Sequence, residues 1–336
     1  MKLIERQFAI FSQKMRSVAL TILALALTIT SLAALSCCLP LSAASPPVAA
    51  DTRQSVERPP IVGLAHVGFF VSNIAKADEF YGHILGFAHF SLDKSPGVLM
   101  LNYYKVNDHQ FIEIYPGLKG DEQDRLSHVA FETTDARQLR DYLAAKGVKV
   151  PASLKPGLDK NLSFMVDDPE GRRIEFVQYV PGSLHANKNG KLEPNTRVSS
   201  HMIHAGFIVH DRAAEDKFYK DILGFSVMWY GGMKDGETNW VDMRVPNGHD
   251  WIEYMLRVNN PSVKTRGVMN HFALGVASIQ PAYRTILDHG GKPPQPPKIG
   301  RDGKWQLNLY DPDLTRVELM EFKQARPPCC SPMHAN

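Results

Sequence analysis

The chain has few cysteines, and their positions exclude a fold held together by disulfides. Only four occur among its 336 residues: Cys37 and Cys38 near the N-terminus, and the adjacent Cys329 and Cys330 near the C-terminus. No Cys-x-x-Cys spacing is present, so no disulfide framework can be drawn from the sequence. We expect the C-terminal pair to be unpaired within the chain or to bond between chains.

The chain also lacks a charge excess beyond its first fifty residues. Its 38 Lys and Arg against 35 Asp and Glu give a net charge of +3. The first fifty residues contain Lys2, Arg6, Lys14 and Arg16 against Glu5 alone, which accounts for the whole excess. The neutral remainder gives no indication of a nucleic-acid partner. At 44% hydrophobic and 22% charged residues, the composition is typical of a globular protein with room for two domains.

The basic start is followed by a nearly continuous apolar segment, Ser17–Leu41. Small residues then form two candidate cleavage sites, Ser42-Ala43-Ala44 and Val48-Ala49-Ala50. This order is typical of a secretory signal peptide. The apolar segment is also long enough to span a membrane if it stays uncleaved. We therefore expect an exported protein, periplasmic or secreted, or membrane-anchored through its leader.

An internal repeat dominates the rest of the chain. The segment HVGFFVSNIAKADEFYGHILGF (His66–Phe87) recurs as HAGFIVHDRAAEDKFYKDILGF (His204–Phe225), with 12 of 22 positions identical. Each copy opens with an alternating apolar run that predicts a strand and continues with an amphipathic helical face. Gly86 then supplies a left-handed helix stop. Similar units open near His128 and His271.

Four strand–helix–strands units therefore predict an α+β protein, in which each helix covers one face of a short, curved antiparallel sheet and two units side by side leave an open cup. Whether the units pair one with two and three with four, or one with four and two with three, the sequence leaves open. The predicted bounds are a leader at 1–50, a linker at 51–60, module 1 at 61–182, a linker at 183–199, module 2 at 200–323 and a disordered tail at 324–336.

His and then Glu stand at matching places in every unit. The eight residues are His66, Glu113, His128, Glu175, His204, Glu253, His271 and Glu318. Each Glu lies inside an apolar strand, where an unpaired carboxylate would cost several kcal/mol. Because side chains alternate along a strand, all eight are predicted to point into the cups. Two imidazoles with two carboxylates suit a divalent ion such as zinc, nickel, cobalt, manganese or Fe(II).

Three motifs resemble the vicinal oxygen chelate superfamily, which includes glyoxalase I, bleomycin- and fosfomycin-resistance proteins, methylmalonyl-CoA epimerase and extradiol dioxygenases. The motifs are the His-x-Gly-Phe opening, the Phe-Tyr…Leu-Gly-Phe helix exit and the Asp-Pro turn before the last Glu. The resemblance covers about residues 61–323. It implies four βαβββ units that pair into two modules with cup-shaped antiparallel sheets, with metal ligands on the first and last strands of each unit. It also implies a small-molecule substrate with two neighbouring oxygens.

The resemblance implies two alternative hypotheses about the enzymatic activity. Bacterial glyoxalase I is similar in using His, Glu, His and Glu together, and a ligand Glu there acts as base; Glu175 and Glu318 are the candidates here. Extradiol dioxygenases use two His and the final Glu, which would be His66, His128 and Glu175, or His204, His271 and Glu318. We favour lyase- or isomerase-type chemistry, because a dioxygenase triad needs no carboxylate at Glu113 or Glu253.

The family's glutathione-contacting Arg, four places after the first His, is replaced by Phe70 and Ile208. A metal-free protein that sequesters a small aromatic molecule is the competing hypothesis from another class. Its cup would be lined by Tyr103, Tyr104, Trp229, Trp240 and Trp251. The oligomeric state is not predicted, and any membrane contact is expected only through the leader.

Overall fold

The structure is a computed structural model that describes residues 56–334. The predicted leader lies outside the described residues. No helix in residues 56–334 has the length and apolar character needed to cross a membrane. The strands are β1 (Ile61–Val71), β2 (His89–Ser95), β3 (Val98–Lys105), β4 (Phe111–Pro116), β5 (Leu126–Thr133), β6 (Leu162–Asp167), β7 (Arg173–Gln178), β8 (Met202–Ile208), β9 (Ser226–Gly231), β10 (Trp240–Arg244), β11 (Trp251–Met255), β12 (His271–Val276), β13 (Lys298–Ile299), β14 (Trp305–Tyr310) and β15 (Arg316–Glu321).

The strands form two sheets, one in each half of the described chain. The first has the order β2-β3-β4-β1-β5-β7-β6, and the second has the order β13-β14-β15-β12-β8-β11-β10-β9. The units pair one with two and three with four, through the antiparallel pairs β1–β5 and β8–β12. Each unit also pairs its first strand in parallel with its last, as in β1–β4 and β12–β15. The curled α+β modules are confirmed, although their sheets are mixed rather than purely antiparallel.

The helices are α1 (Ile74–Ala77, continued by a π-helical stretch, Asp78–Ile84), α2 (Ala136–Ala145), α3 (Arg212–Asp216, continued by Lys217–Ile222), α4 (Val263–Met269) and α5 (Ile279–Asp288). Asn73 caps α1 by accepting a hydrogen bond from the Lys76 amide. Gly86 ends this helical segment with φ +77°, as predicted, and an added Cβ would lie 2.6 Å from the Thr196 carbonyl oxygen. Helix α4 was not predicted, because its seven residues are too short for a clear period.

Alternation along each strand separates a core face from a cup face. On β1, Val67 and Phe69 are fully buried among the helices, while His66 and Gly68 face the cup. The core faces of the two modules meet, since the rings of Phe69 and Phe272 lie 5.9 Å apart. The modules therefore share one apolar core, while the cups open on the other faces of the sheets.

Two family-like motifs join the modules. The Tyr81 hydroxyl of module 1 donates to Asp311 of module 2 at 3.0 Å, and Tyr219 of module 2 donates to Asp168 of module 1 at 3.2 Å. Each Asp also caps its own Asp-Pro turn, as Asp311 does by accepting from the Thr315 amide at 2.8 Å. The Phe-Tyr and Asp-Pro motifs are thus explained by packing between modules.

The tail, which the sequence predicts to be disordered, is ordered through residue 334. The Trp229 indole donates to the Cys329 carbonyl at 3.1 Å, and Ser331 bonds to both backbone groups of Tyr230. Cys329 and Cys330 are bonded to each other, which corrects the expectation that they stay unpaired within the chain. The sequence suggested disorder because these contacts are formed by single residues and not by a periodic face.

Candidate metal centres

The first cluster lies on four adjacent strands of module 1. His66 lies on β1, Glu113 on β4, His128 on β5 and Glu175 on β7. The register places Gly68, on the face of His66, between Glu113 on one side and His128 on the other. The neighbouring row on the same face contains His66, because Ala130 pairs with His66 on one side and with Glu175 on the other. The sequence prediction that these four residues converge therefore agrees with the geometry.

Gly68 is required at the centre of this row. A Cβ there would lie 2.5 Å from Cε1 and 2.7 Å from Nδ1 of the His128 ring. The equivalent residue of module 2, Gly206, has even less room, because an added Cβ would lie 1.9 Å from Cε1 of the His271 ring. Real Cβ atoms do not approach so closely, so the Gly of the His-x-Gly motif makes room for the imidazole of the neighbouring strand.

The donor atoms of module 1 have the spacing of a metal site. His66 Nε2 lies 3.4 Å from Glu113 Oε1 and 3.4 Å from Glu175 Oε2. His128 Nε2 lies 3.4 Å from an oxygen of each carboxylate as well. Ligands about 2.1 Å from a shared ion are separated by about 3.0 Å in octahedral and about 3.4 Å in tetrahedral arrangement. His66, Glu113 and His128 each place a donor atom within 4.8 Å of the other two, and Glu175 adds an oxygen 3.4 Å from both imidazoles, so the donor types and spacings fit a divalent ion.

Charge complementarity holds this cluster together. Burial alone would lower the pKa of His66, but the charges of Glu113 and Glu175 outweigh it and raise this pKa to about 9. Burial opposes ionisation of Glu175, yet its bond to His66 lowers the pKa to about 2. The pKa of Glu113 is lowered in the same way, by His66 and His128. Module 1 thus keeps two carboxylates ionised around a position that favours positive charge.

Aromatic side chains surround the cluster on the cup face. The Tyr115 hydroxyl donates to Glu113 Oε2 at 2.6 Å, and its ring lies 5.7 Å from that of Phe70. Tyr103 pairs with Glu113 across β3 and β4 and shares its face. Tyr104, expected in the cup, instead lies in the core and donates to Asp78. Alternation along β3 explains this difference, because neighbouring residues point to opposite faces.

The predicted linker between the modules covers part of the first cup. His185 is buried, and its ring lies 4.5 Å from Phe111 and 4.6 Å from Tyr103. The buried Lys105 ammonium donates to the Lys188 and Lys191 carbonyls at 2.6 and 2.7 Å. Sequence reasoning missed His185 because the segment that carries it has no strand or helix period.

The same four residue types converge in module 2, with different contacts. His204 Nε2 lies 3.1 Å from His271 Nε2. Glu318 lies 3.6 Å from His204 and 3.7 Å from His271, while Glu253 lies 3.8 Å from His271. Arg316 also reaches the cluster, and its Nη2 lies 2.7 Å from both ring nitrogens of His271.

The electrostatics of module 2 are opposite to those of module 1. Burial, with a smaller contribution from Arg316, holds the pKa values of His204 and His271 well below the ordinary value. Burial raises the pKa of Glu253 to about 8 and that of Glu318 to about 7. This cluster therefore favours neutral imidazoles and protonated carboxyls beside a permanent guanidinium charge.

The second cup contains a cavity of about 360 Å³. Trp229 and Trp240 line it together with Asp242, Arg257 and Asn308. Trp251 lies on the cup face as expected, paired with His204 and with its ring 5.1 Å from that of His204, but it is buried and does not line the cavity. Sequence reasoning missed Arg316 and Asp242, although their position on the cup face of β15 and β10 was available from strand parity.

A family model decides the relationship of the chain to known proteins. The model of the Glyoxalase/Bleomycin resistance protein/Dioxygenase superfamily matches residues 63–176 and 201–319.

The chain belongs to this superfamily.

The two matched segments coincide with the two sheets, so each module is one copy of the superfamily domain.

Solved structures of the superfamily share this fold. A variant of homoprotocatechuate 2,3-dioxygenase from B. fuscum in complex with HPCA has a TM-score of 0.60 and 19% identity, covering 80% of this chain and 73% of that chain. The 2,3-dioxygenase LapB from Pseudomonas sp. KL28 has a TM-score of 0.63 and 16% identity, covering 82% and 98%. A Mn(II)-bound glyoxalase from Novosphingobium aromaticivorans has a TM-score of 0.60 and 17% identity, covering 78% and 83%. No curated protein sequence matches the chain significantly.

Proposed function

We propose that the chain is a metal-dependent enzyme whose module 1 site catalyses lyase- or isomerase-type chemistry on a small substrate with two neighbouring oxygens. The observation that carries this proposal is the fourth donor, Glu113, which lies 3.4 Å from His66 beside the triad of His66, His128 and Glu175. A triad alone would serve ring cleavage. The additional ionised carboxylate favours a site with four protein ligands.

The four side chains His66, Glu113, His128 and Glu175 would hold the ion. When bound, a divalent ion acts as a Lewis acid toward neighbouring substrate oxygens. Glu113 is pinned in this site by the Tyr115 hydroxyl, which donates to it at 2.6 Å. Because of this hydrogen bond, the Glu113 carboxylate would be a fixed metal ligand with little freedom to move toward the substrate.

Glu175 is the proposed proton acceptor. Its side chain is 12% exposed, against 5% for Glu113, so it is the carboxylate that a substrate in the cup meets. Burial opposes its ionisation, but the bond to His66 lowers its pKa overall, so the carboxylate is ionised at neutral pH and its oxygens carry no proton. Glu175 would take the proton from one substrate carbon and return it to the neighbouring carbon. Its counterpart Glu318, with 6% exposure of its side chain, is less accessible.

The substrate of this site is proposed to be small and not a glutathione adduct. Phe70 occupies the place of the family's glutathione-contacting Arg, and its ring contacts that of Tyr115. Aromatic rings beside the cluster favour an apolar or aromatic substituent on the substrate.

Replacement of Glu113 and Glu253 by Gln tests the proposal, because the two positions are equivalent in the two modules. We expect Glu113→Gln to lose metal and to lose isomerisation of 2-oxoaldehyde thiol adducts. Glu253→Gln shows whether module 2 contributes. The competing activity is ring cleavage, since the triad of His66, His128 and Glu175 is also present and two structures of similar fold are 2,3-dioxygenases. Retained metal with unimpaired cleavage of catechols in Glu113→Gln would overturn our choice.

We also propose that the protein is exported, on the basis of the order of basic, apolar and small residues in residues 1–50. The measurement is the intact mass of the protein from an exporting host. A mass that corresponds to a chain starting near Ser45 or Asp51 supports cleavage. A full-length mass in the membrane fraction would indicate an anchor, and a full-length cytoplasmic protein would refute export.

A further inference from the structure

The two modules present the same four residue types but differ in one arginine. Arg316 and Arg173 occupy equivalent places, each two residues before the last Glu on the same strand face. Arg173 is exposed, and its guanidinium reaches the Met165 sulfur at 2.6 Å. Arg316 instead turns inward, with its Nη2 2.7 Å from both ring nitrogens of His271. A group that carries a permanent positive charge therefore lies against the imidazole that a divalent ion would need as a ligand.

The imidazoles of module 2 are also arranged differently. His204 Nε2 and His271 Nε2 lie 3.1 Å apart, within hydrogen-bond distance. One of these two nitrogens must carry a proton in that bond, and a protonated nitrogen has no lone pair for a metal. In module 1, both Nε2 atoms face carboxylate oxygens at 3.4 Å. The module 2 donors are thus already engaged with each other and with Arg316.

The cavity of module 2 has the features of a ligand site. Its 360 Å³ falls in the range of small-molecule pockets. Asp242 is 4% exposed, and its Oδ1 has no hydrogen-bond partner. Asn308 Oδ1 and Arg316 Nε, from two further lining residues, are likewise buried and without partners. Buried polar atoms in such a state require a ligand or water to satisfy them.

The walls and rim of the cavity indicate the chemistry of that ligand. Trp229 and Trp240 provide flat apolar surface. At the rim, Arg257 is exposed and lies 5.6 Å over the Trp240 ring, and Lys298 is exposed as well. Within residues 56–334, neither cation forms a salt bridge with a carboxylate. Indoles beside unpaired cations suit a flat molecule that carries a negative charge.

We propose that module 2 is a metal-free cup that binds a small planar anion, with the Arg316 guanidinium beside His271 supplying positive charge instead of a metal ion. The division of roles explains why the two cups differ while their sheets are alike. It does not depend on which reaction module 1 catalyses.

Metal counting tests the role of Arg316. The purified chain is loaded with Co(II), desalted and measured by native mass spectrometry. Replacing Arg316 by Met should add one cobalt per chain relative to wild type, and the added ion should be lost when His204→Ala is combined with it. Arg316→Gln serves as a second variant if Arg316→Met does not fold. Arg173→Met, at the equivalent place in module 1, should leave the count unchanged.

The outcomes of this count are separable from those for module 1. The wild-type count and its loss in His66→Ala report on the proposed enzymatic site. The increment in the Arg316 variants reports on the present inference alone. No increment, or a wild-type ion that is lost in His204→Ala, would overturn it.

Intrinsic fluorescence tests the ligand. All four Trp residues, at positions 229, 240, 251 and 305, belong to module 2, so their emission reports on this module. We expect 4-hydroxybenzoate to change the emission saturably, and its methyl ester to bind about tenfold more weakly because the ester has no charge. Arg257→Ala should weaken binding of the acid by about tenfold, whereas Arg212→Ala, on helix α3 outside the cavity, should not. Equal affinity for acid and ester, or no saturation up to about 10 mM, would refute the anion site.

Discussion

Substituting Gly68 by Ala should disable the module 1 site without unfolding the protein. The added Cβ would lie 2.5 Å from Cε1 of His128 and 3.2 Å from Cε2 of Tyr115. Carbon atoms in contact prefer about 3.5–4.0 Å, so the imidazole must retreat by about 1 Å. The backbone of His128 cannot move away together with the ring, because His128 is paired directly with Gly68 across β1 and β5.

The magnitude follows from this displacement. Overpacking of this kind costs about 1–3 kcal/mol of stability, a loss that a two-module chain should survive. A shift of about 1 Å in a positioned group lowers activity by about 10²-fold. We therefore expect Gly68→Ala to fold, with a reduced melting temperature, and to bind metal far more weakly than wild type.

Competition with a chelator measures the metal affinity, and thermal unfolding measures the stability. Gly82→Ala is the matched control, because the nearest atoms to its added Cβ lie 3.9 Å away. Gly206→Ala should disturb His271 in module 2 and leave the metal count unchanged. Unchanged metal affinity in Gly68→Ala would refute the argument that this glycine makes room for a ligand.

Three further predictions follow from contacts outside the metal site. Tyr81→Phe should lower the free energy of unfolding by about 1–3 kcal/mol, since it leaves Oδ2 of the buried Asp311 without its donor. Tyr219→Phe should cost less, because Arg172 still donates to the same Oδ2 of Asp168. Urea unfolding measures both losses, and a loss in Tyr219→Phe as large as that in Tyr81→Phe, or no loss in Tyr81→Phe, would contradict this reasoning. Burial raises the pKa of Glu215 to about 8 from 4.5, so burying this carboxyl costs no stability below pH 4.5 and costs increasingly more up to about pH 8. The melting temperature of Glu215→Gln should therefore rise relative to that of wild type as the pH increases over that range. A difference in melting temperature that does not change with pH would refute this. Truncation after Lys323 removes the Cys329 carbonyl that accepts from Trp229, so tryptophan emission should shift to the red, and an unchanged spectrum would contradict the ordered tail.

The repeat made the fold predictable from the sequence. Twenty-two residues repeated with His66 and His204 at the same place fix both the unit and its strand parity. Parity then determines which side chains share the cup, and the convergence of His66, Glu113, His128 and Glu175 follows from it. The pairing of units was not predictable, because either pairing brings two His and two Glu together.

Contacts made by irregular segments could not be predicted from the sequence. His185 reaches the first cup from a segment that has only one short helical turn, and Ser331 joins the second sheet through single hydrogen bonds. The sequence also does not show which way an arginine side chain points, since Arg173 and Arg316 share a strand position but contact different partners. Rotamers of long side chains depend on packing with distant residues, which no local pattern encodes.

The central claim is that module 1 alone holds a divalent ion between two His and two Glu. Anomalous diffraction at the cobalt edge, from crystals of the Co(II)-loaded protein, tests it most directly. We predict one strong anomalous peak bounded by His66, Glu113, His128 and Glu175, and none beside His204 and His271. A peak of equal strength in module 2, or no peak at the module 1 cluster, would contradict the account.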